Sequence, residues 1–451
     1  LLSRSFVTMS VLALIIWIST LTIVKSECYW NNQCAYDLFS TKTPYNSVRG
    51  DIRDVADIAG CEPVTIWSLN RHGNRNPGSD TIEEMRVISQ IKDEIIANHE
   101  AGNSYFCAQD IEDLGNWAWN KTIQTAPSYL TGTGYEELYD IGSRIRHKFP
   151  GLLKTDDIKK FYFRTTNEQR TVVSSIAYVN GLTEGTDLTP TVDGPFLQDE
   201  IIRPYEICEK YQEEVKKNPI ISLQADVIDR VQDRLGISLQ LTSTDVYSIF
   251  ELCRFYRSWS VNHRSPWCAV FTAEDIEVLE YLDDMRHYYR NGYGSVVNAK
   301  LGEQAAKDLY TNFEDSIRGE GKNIITYFTH DTMMEMFFCA LGLFDDGTPV
   351  TYDVRDENRK WRTSYISSFS TNFIAVLNRC NDTEYRIQFF VNEKPTSLCP
   401  EAGCTLEEFR EKFQKFEHAN LDFYTLKLFC QSYVTSQMTS FLALSLLTIS
   451  R

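Results

Sequence analysis

Residues Pro63-Val64-Thr65-Ile66-Trp67-Ser68-Leu69 run directly into Asn70-Arg71-His72-Gly73-Asn74-Arg75-Asn76-Pro77, and the change of character between the two decides the fold. The first stretch is apolar and β-branched almost throughout, the pattern of a strand buried on both faces of a parallel sheet. The second holds Gly, Asn and Pro and reads as a loop. Behind it, Met85, Ile88, Ile91 and Ile95 recur at helical spacing, which predicts a helix over 80–97. A basic loop therefore sits where a strand hands over to a helix. The same grammar returns downstream. Leu138, Ile141, Ile145 and Phe149 form a helical stripe, 160–165 reads as a short strand, and a helix follows from Glu168. Residues 323–329 form a second buried-strand run that ends at His330-Asp331, with a helix over 333–343. Such alternation predicts an α/β fold, a mainly parallel sheet with helices on both faces.

From about 196 to 300 the strand signals fade. Thr272-Ala273-Glu274-Asp275 resembles a capping box ahead of Val278, Leu279, Leu282 and Met285, and the region reads as an inserted, smaller α-helical domain. Strand patterning resumes over 364–377 and 385–391. The chain of 451 residues exceeds what one core usually supports. It divides into an α/β domain over 27–195 and 301–430, with the helical insertion over 196–300.

Both ends carry an address. Arg4, the apolar run Val11 to Val24 and the Val24-Lys25-Ser26 junction read as a signal peptide over 1–26. The tail over 431–451 ends in a short apolar stretch, Phe441 to Ile449, behind small and polar residues, the shape of a glycolipid-anchor signal. The expected location is the secretory pathway. The product is then secreted, or attached to the outer cell surface through a signal anchor or the C-terminal lipid anchor. Twelve cysteines suit that compartment and lack the C-x-x-C pairs of a zinc or redox site. Cys253 with Cys268 and Cys399 with Cys404 are close enough in sequence to pair, although spacing alone does not fix connectivity. Asn120-Lys121-Thr122 and Asn381-Asp382-Thr383 are glycosylation sequons.

A net charge of -17 argues against a nucleic-acid partner, which would require a cationic face. An anionic small molecule must instead be drawn into a local basic pocket. In α/β sheets the crevice lies beyond the carboxyl ends of the strands, where both Arg71-His72-Gly73-x-Arg75 and His330-Asp331 fall. Guanidinium forks match phosphate oxygens in a bidentate manner. A histidine among arginines stays neutral and nucleophilic, while the same charges stabilise a transferring phosphoryl group. Asp331 supplies a carboxylic acid for the leaving oxygen.

Together, Arg71-His72-Gly73-x-Arg75-x-Pro77 and His330-Asp331 resemble the histidine acid phosphatases, the branch of the histidine phosphatases that includes phytases and prostatic-type acid phosphatases. The resemblance extends over most of 60–430 and is nearest to the multiple inositol polyphosphate phosphatases. It is carried by Cys61, Thr131-Gly132-x-Gly134, Arg164-Thr165-Thr166 with Arg170-Thr171, Ser265-Pro266-Trp267-Cys268, Gly292-Tyr293-Gly294 and Asn392-Glu393-Lys394-Pro395. It implies that His72 is the nucleophile that becomes phosphohistidine. It further implies that Arg71, Arg75, Arg164 and His330 hold the phosphate, that Asp331 donates the proton, and that Cys61 bridges Cys380. No metal or other cofactor is implied. Animal members commonly carry His-Ala-Glu where this chain has His330-Asp331-Thr332, so the donor here must be Asp331. Asn74 and Asn76 stand where that group often has Thr and Tyr. The expected activity is hydrolysis of phosphomonoesters on inositol polyphosphates. The alternatives are a broad-specificity secreted acid phosphatase and an inactive secreted binding protein of the same fold.

Overall fold

In the computed structural model, the described residues are 28, 38–196, 198–215, 223, 225–259, 265–352 and 354–421. The expected signal peptide and C-terminal tail lie outside them. Among the described residues, no helix is long and apolar enough to cross a membrane.

Strand β1 (Glu62–Arg71) is central because neither of its faces can meet water. Ile66 enters one apolar core with Leu138, Ile141, Phe163 and Tyr178. Trp67 and Leu69, on the other face, enter a second core with Tyr327, Phe337 and Phe373. All three side chains are fully buried, and each contributes roughly 1.5–3 kcal/mol by leaving water. β2 (Phe161–Thr165), β3 (Val192–Asp193) and β4 (Ile324–Thr329) complete a parallel half in the order β3-β2-β4-β1.

The sheet is mixed beyond that half. β5 (Asn372–Arg379) lies antiparallel to β1, and β6 (Tyr385–Val391), β7 (Lys394–Pro395) and β8 (Cys404–Thr405) extend the antiparallel side. Only 380–384 separate β5 from β6. That is too short for the crossover a parallel pair needs, and a hairpin results.

Helix α1 (Ser79–Ile88) follows the basic loop. The single helix expected over 80–97 is broken by a 3-10 turn at Ser89–Ile91. There the Ser89 hydroxyl donates to the Arg86 carbonyl at 2.8 Å, offering the backbone an alternative to the helical ladder. One face of the sheet is covered by α2 (Gly132–Lys148) and α3 (Gln169–Thr183). They approach closely because Gly142 and Gly181 lie at the crossing, where a methyl on either would overlap a backbone carbonyl of the other helix.

Within the region expected to be helical, α4 (Ser243–Ser258) and α5 (Ala273–Asn291) each begin with a complete capping box, from Thr242 with Asp245 and from Thr272 with Asp275. α6 (Val296–Ile317) and α7 (Asp331–Leu341) then return to the sheet and pack on each other. Disulfides join Cys28–Cys107, Cys61–Cys380, Cys253–Cys268 and Cys399–Cys404. Cys208 and Cys339 are buried and unbridged.

The α2–α3 crossing yields a direct test. Gly181→Ala should lower the unfolding free energy by about 1–3 kcal/mol through overpacking. Gly151→Ala, whose added methyl meets nothing within 4 Å, should change it by no more than about 0.5 kcal/mol. Urea unfolding midpoints of the two variants make the comparison.

Candidate active site

β1, β2 and β4 stop level with one another, Arg71 pairing with Thr329 and Thr165 with Phe328. The next residue of the central strand, His72, is pinned on both sides. Its N–H donates to the Thr329 carbonyl at 3.0 Å, and its own carbonyl accepts from the Ser370 N–H at 3.1 Å. Ser370 makes that contact from a left-handed backbone (φ 57°), a conformation uncommon for serine that surrounding structure must hold in place. The loop then drops onto the N-terminus of α2. Gly73 and Gly134 meet so closely that a side chain on Gly73 would overlap the Gly134 backbone and one on Gly134 would overlap Asn74. Thr131 caps α2 by accepting the Gly134 N–H at 3.1 Å, and its hydroxyl donates to Asn74 Oδ1 at 3.0 Å.

The side chain of His72 is almost fully buried. Its Nδ1–H donates to the Gly73 carbonyl at 2.8 Å, so the lone pair is on Nε2. Burial, followed by the charges of Arg71, Arg170, His330 and Arg75, holds its pKa well below the ordinary histidine value. The imidazole is therefore neutral. His330, the residue after β4, lies with its ring centroid 5.5 Å from that of His72. Its Nε2 lies 3.1 Å from Thr166 Oγ1, and its Nδ1 lies 3.5 Å from an Arg170 Nη2. Burial and the cations Arg170 and Arg203 likewise push its pKa far down.

Arg71 has no exposed surface. Its Nη1 donates to the carbonyls of Thr41 and Ser367 at 2.6 and 2.7 Å, its Nη2 lies 3.1 Å from Asp331 Oδ2, and its guanidinium stacks over Phe369. The Nε groups of Arg71 and Arg170 are buried without an acceptor among the described residues, donors suited to an anion. Burial, with Arg170 and Arg71 close by, lowers Arg75 to about 10. Asp331 opens α7. Burial alone would push its carboxyl up, but Arg71, then His287 and Lys42, outweigh burial and hold it well below the usual carboxylate range.

Arg164 stands elsewhere. It projects from β2 into an ion pair with Asp199 at 2.7 Å and stacks on Phe196. Arg170, in the first turn of α3, is the guanidinium that reaches His330 and influences His72. The position missed from sequence was thus a helix N-terminus six residues beyond a strand arginine, and the only signal was the Arg170-Thr171 pair. Three further groups had no signal. Lys42, beside Thr41, has its pKa lowered to about 8 by burial, then by Arg254. Glu137 on α2 accepts the Asn74 N–H at 2.9 Å and the Ser370 hydroxyl at 2.7 Å, both at Oε2. His287 on α5 faces Glu335 of α7. Taken together, the strand ends can seat a tetrahedral anion on fixed donors and present a neutral imidazole nitrogen to it.

A sequence model of the histidine phosphatase superfamily (branch 2) matches residues 66–392. The chain belongs to this family. It is 30% identical over 405 residues to multiple inositol polyphosphate phosphatase 1 of Drosophila melanogaster, covering 85% of this chain and 86% of that protein. It is 25% identical over 404 residues to the Homo sapiens protein of the same name, covering 80% and 82%. Among solved structures, the phytase from D. castellii superposes with a TM-score of 0.70 over 85% of this chain and 86% of that one, at 18% identity. This histidine phosphatase is accordingly a phosphoric monoester hydrolase.

Glu137 ties the nucleophile loop of the phosphatase to Ser370 from below. Burial raises its carboxyl to about 7 despite the donors around it. The folded state therefore binds this proton more tightly than the unfolded state, so its contribution is full below the ordinary carboxyl range and is lost as pH rises through about 7. Glu137→Gln, which does not titrate, should gain on the wild type between about pH 5 and pH 8 by roughly 3 kcal/mol. Stability curves that stay parallel over that range would show that this carboxyl does not titrate there.

Proposed function

We propose that the phosphatase hydrolyses inositol polyphosphates through a phosphohistidine on His72, with Asp331 as proton donor and Arg71, Arg75, Arg170 and His330 holding the scissile phosphate. The carrying observation is the neutral, buried imidazole of His72, tied at Nδ1 and ringed by cations. In the first step Nε2 attacks phosphorus, the ester P–O bond breaks, and the leaving oxygen takes the Asp331 proton. In the second, the Asp331 carboxylate removes a proton from water, the water oxygen bonds phosphorus, and the P–N bond breaks. Inorganic phosphate leaves with the imidazole restored. A resting carboxylate at Asp331 is compatible with this sequence, because a phosphate seated on Arg71 competes for the same guanidinium and raises the carboxyl's affinity for a proton.

The phosphate-binding role expected for Arg164 passes to Arg170. What supports this is placement: Arg164 reaches Asp199, whereas Arg170, although its Nη1 lies 3.2 Å from Glu168 Oε2, bears on both histidines. Substrate class is supported by further cations near the site. Lys42 acts on Asp331, Arg203 on His330, and Arg290 on Asp331 and Glu335. In a chain of net charge -17 such a basic pocket suits a ring bearing several phosphates. The names of the relatives agree. Passage through the secretory pathway is part of the same reading, supported by four disulfides and by sequons whose Asn120 and Asn381 are exposed.

Phosphate release from inositol hexakisphosphate should exceed release from a simple aryl phosphate at equal concentration and vanish in His72→Ala. Turnover of the aryl ester alone would replace this substrate assignment with a general acid phosphatase. Arg170→Ala should lower kcat/KM by about 10²–10³-fold, the scale of losing one transition-state donor. Arg164→Ala should lower it less than about 10-fold, and the reverse order would return the phosphate to Arg164.

A further inference from the structure

His287 is on the helix that packs across the start of α7, and its ring is held by one strong contact. Nδ1–H donates to Glu335 Oε2 at 2.9 Å. Glu335 is fully buried and receives a second hydrogen bond, from Asn291 Nδ2 at 2.8 Å. Asn291 Oδ1 in turn accepts the Tyr211 hydroxyl at 2.9 Å, so the carboxylate cannot swing away. A buried carboxylate needs a countercharge, and the basic group in contact with it is His287, whose ring supplies that charge when protonated. Nε2 of His287 forms no hydrogen bond among the described residues, and the side chain keeps 18% of its surface exposed.

Glu335 follows Asp331 by four residues on α7, so the two carboxylates share one face of the helix. An imidazole bonded to the later one lies on the flank of the earlier one. We propose that the His287–Glu335 pair is a positioning device for the proton donor: an imidazolium, fixed by a buried carboxylate one turn along the same helix, that sets the charge of Asp331. The proposal rests on Asp331 being the donor.

The surrounding charges agree in sign. Burial opposes protonation of His287, but Glu335, then Asp331 and Asp283, favour it, and the net direction is upward from the ordinary histidine value. Arg290 on the same helix and Lys42 from the N-terminal segment add positive charge around Asp331, as does Arg71 from the end of β1. Tyr211 faces Arg290 and stays a neutral phenol, since burial raises its pKa. In the acidic range, where Asp331 exchanges its proton, His287 is thus charged. It favours the carboxylate form of Asp331, the form that activates water in the second step, at the expense of the acid form that serves the first.

The sign of the test follows. Removing a cation raises the pKa of a neighbouring carboxyl. In His287→Gln, the alkaline limb of kcat/KM for inositol hexakisphosphate should therefore move up by about 0.5–1 pH unit. No shift should appear with an aryl phosphate, which leaves without a proton, or in an Asp331→Asn background. His287→Lys, which keeps a cation, should leave the limb at or below its wild-type position. An even loss of rate across pH in His287→Gln would overturn the proposal while leaving the donor in place. Asp331→Asn slowing both substrates equally would overturn the donor itself, whatever His287 does. Should His287→Gln fail to fold, histidine NMR of the wild type beside Asp331→Asn decides. Coupling is reciprocal, so the His287 pKa must fall in Asp331→Asn, and an unchanged value would sink the proposal.

Discussion

Three guanidinium groups crowd around two neutral imidazoles, and the repulsion among the cations governs the carboxyl end of this sheet. Arg71 carries its charge with no exposed surface, and burial together with Arg170 weakens its hold on a proton. Such crowding is tolerable only where carboxylates answer it, and Asp331, Glu335 and Glu137 all act on Arg71. The same field does the chemical work. It strips the proton from His72 and His330, and the Nε groups of Arg71 and Arg170 are left without an acceptor among the described residues. An anion site and a free nucleophile are therefore two results of one electrostatic arrangement.

The main features of the fold were legible because they are local. The run 63–69 and the run 323–329 are apolar on both faces, the pattern of strands buried on both sides of a sheet. What followed β4 was harder. The antiparallel placement of β5 depends on where the chain re-enters the sheet after 342–371, a long-range outcome with no local pattern. Within the proposed site, Arg71, His72, His330 and Asp331 were accessible because each adjoins a strand end, and Arg75 because it lies in the basic loop that follows. Arg164 satisfied that same rule, yet a strand side chain one residue from the end still obeys the alternation of the sheet, and this one meets Asp199. Arg170 reaches the pocket from a helix N-terminus. Lys42, Glu137 and His287 lie 30, 65 and 215 residues from His72, and tertiary packing alone brings them to it.

A second layer of buried charge steadies the pocket wall. Arg254, fully buried, donates through Nε to Glu251 at 2.9 Å and through Nη1 to Asp283 at 2.5 Å, joining α4 to α5. Asp283 also accepts from Tyr247 and Arg286. Buried pairs of this kind add little net stability, because desolvation offsets the attraction. Their effect here is geometric. They fix the spacing of α4 and α5, and their charges act directly on Lys42. The adjoining Thr41 carbonyl accepts from Arg71, so the N-terminal segment is held between Arg71 and the helical layer.

This arrangement separates chemistry from choice of substrate. The groups proposed to meet the scissile phosphate lie at the ends of β1 and β4, in the loop after β1, and in the first turns of α3 and α7. The remaining cations come from elsewhere: Lys42 from the segment before β1, Arg203 from the stretch after β3, and Arg290 from α5. None of these is held by the ladder, yet Lys42 and Arg290 act on Asp331 and Arg203 acts on His330. His287 belongs to the second group by position and to the first by contact, since it sits on α5 yet bears on the helix that carries Asp331. A substitution there would change the charge beside Glu335 and Asp331, which makes α5 the element through which the outer wall can reach the chemistry.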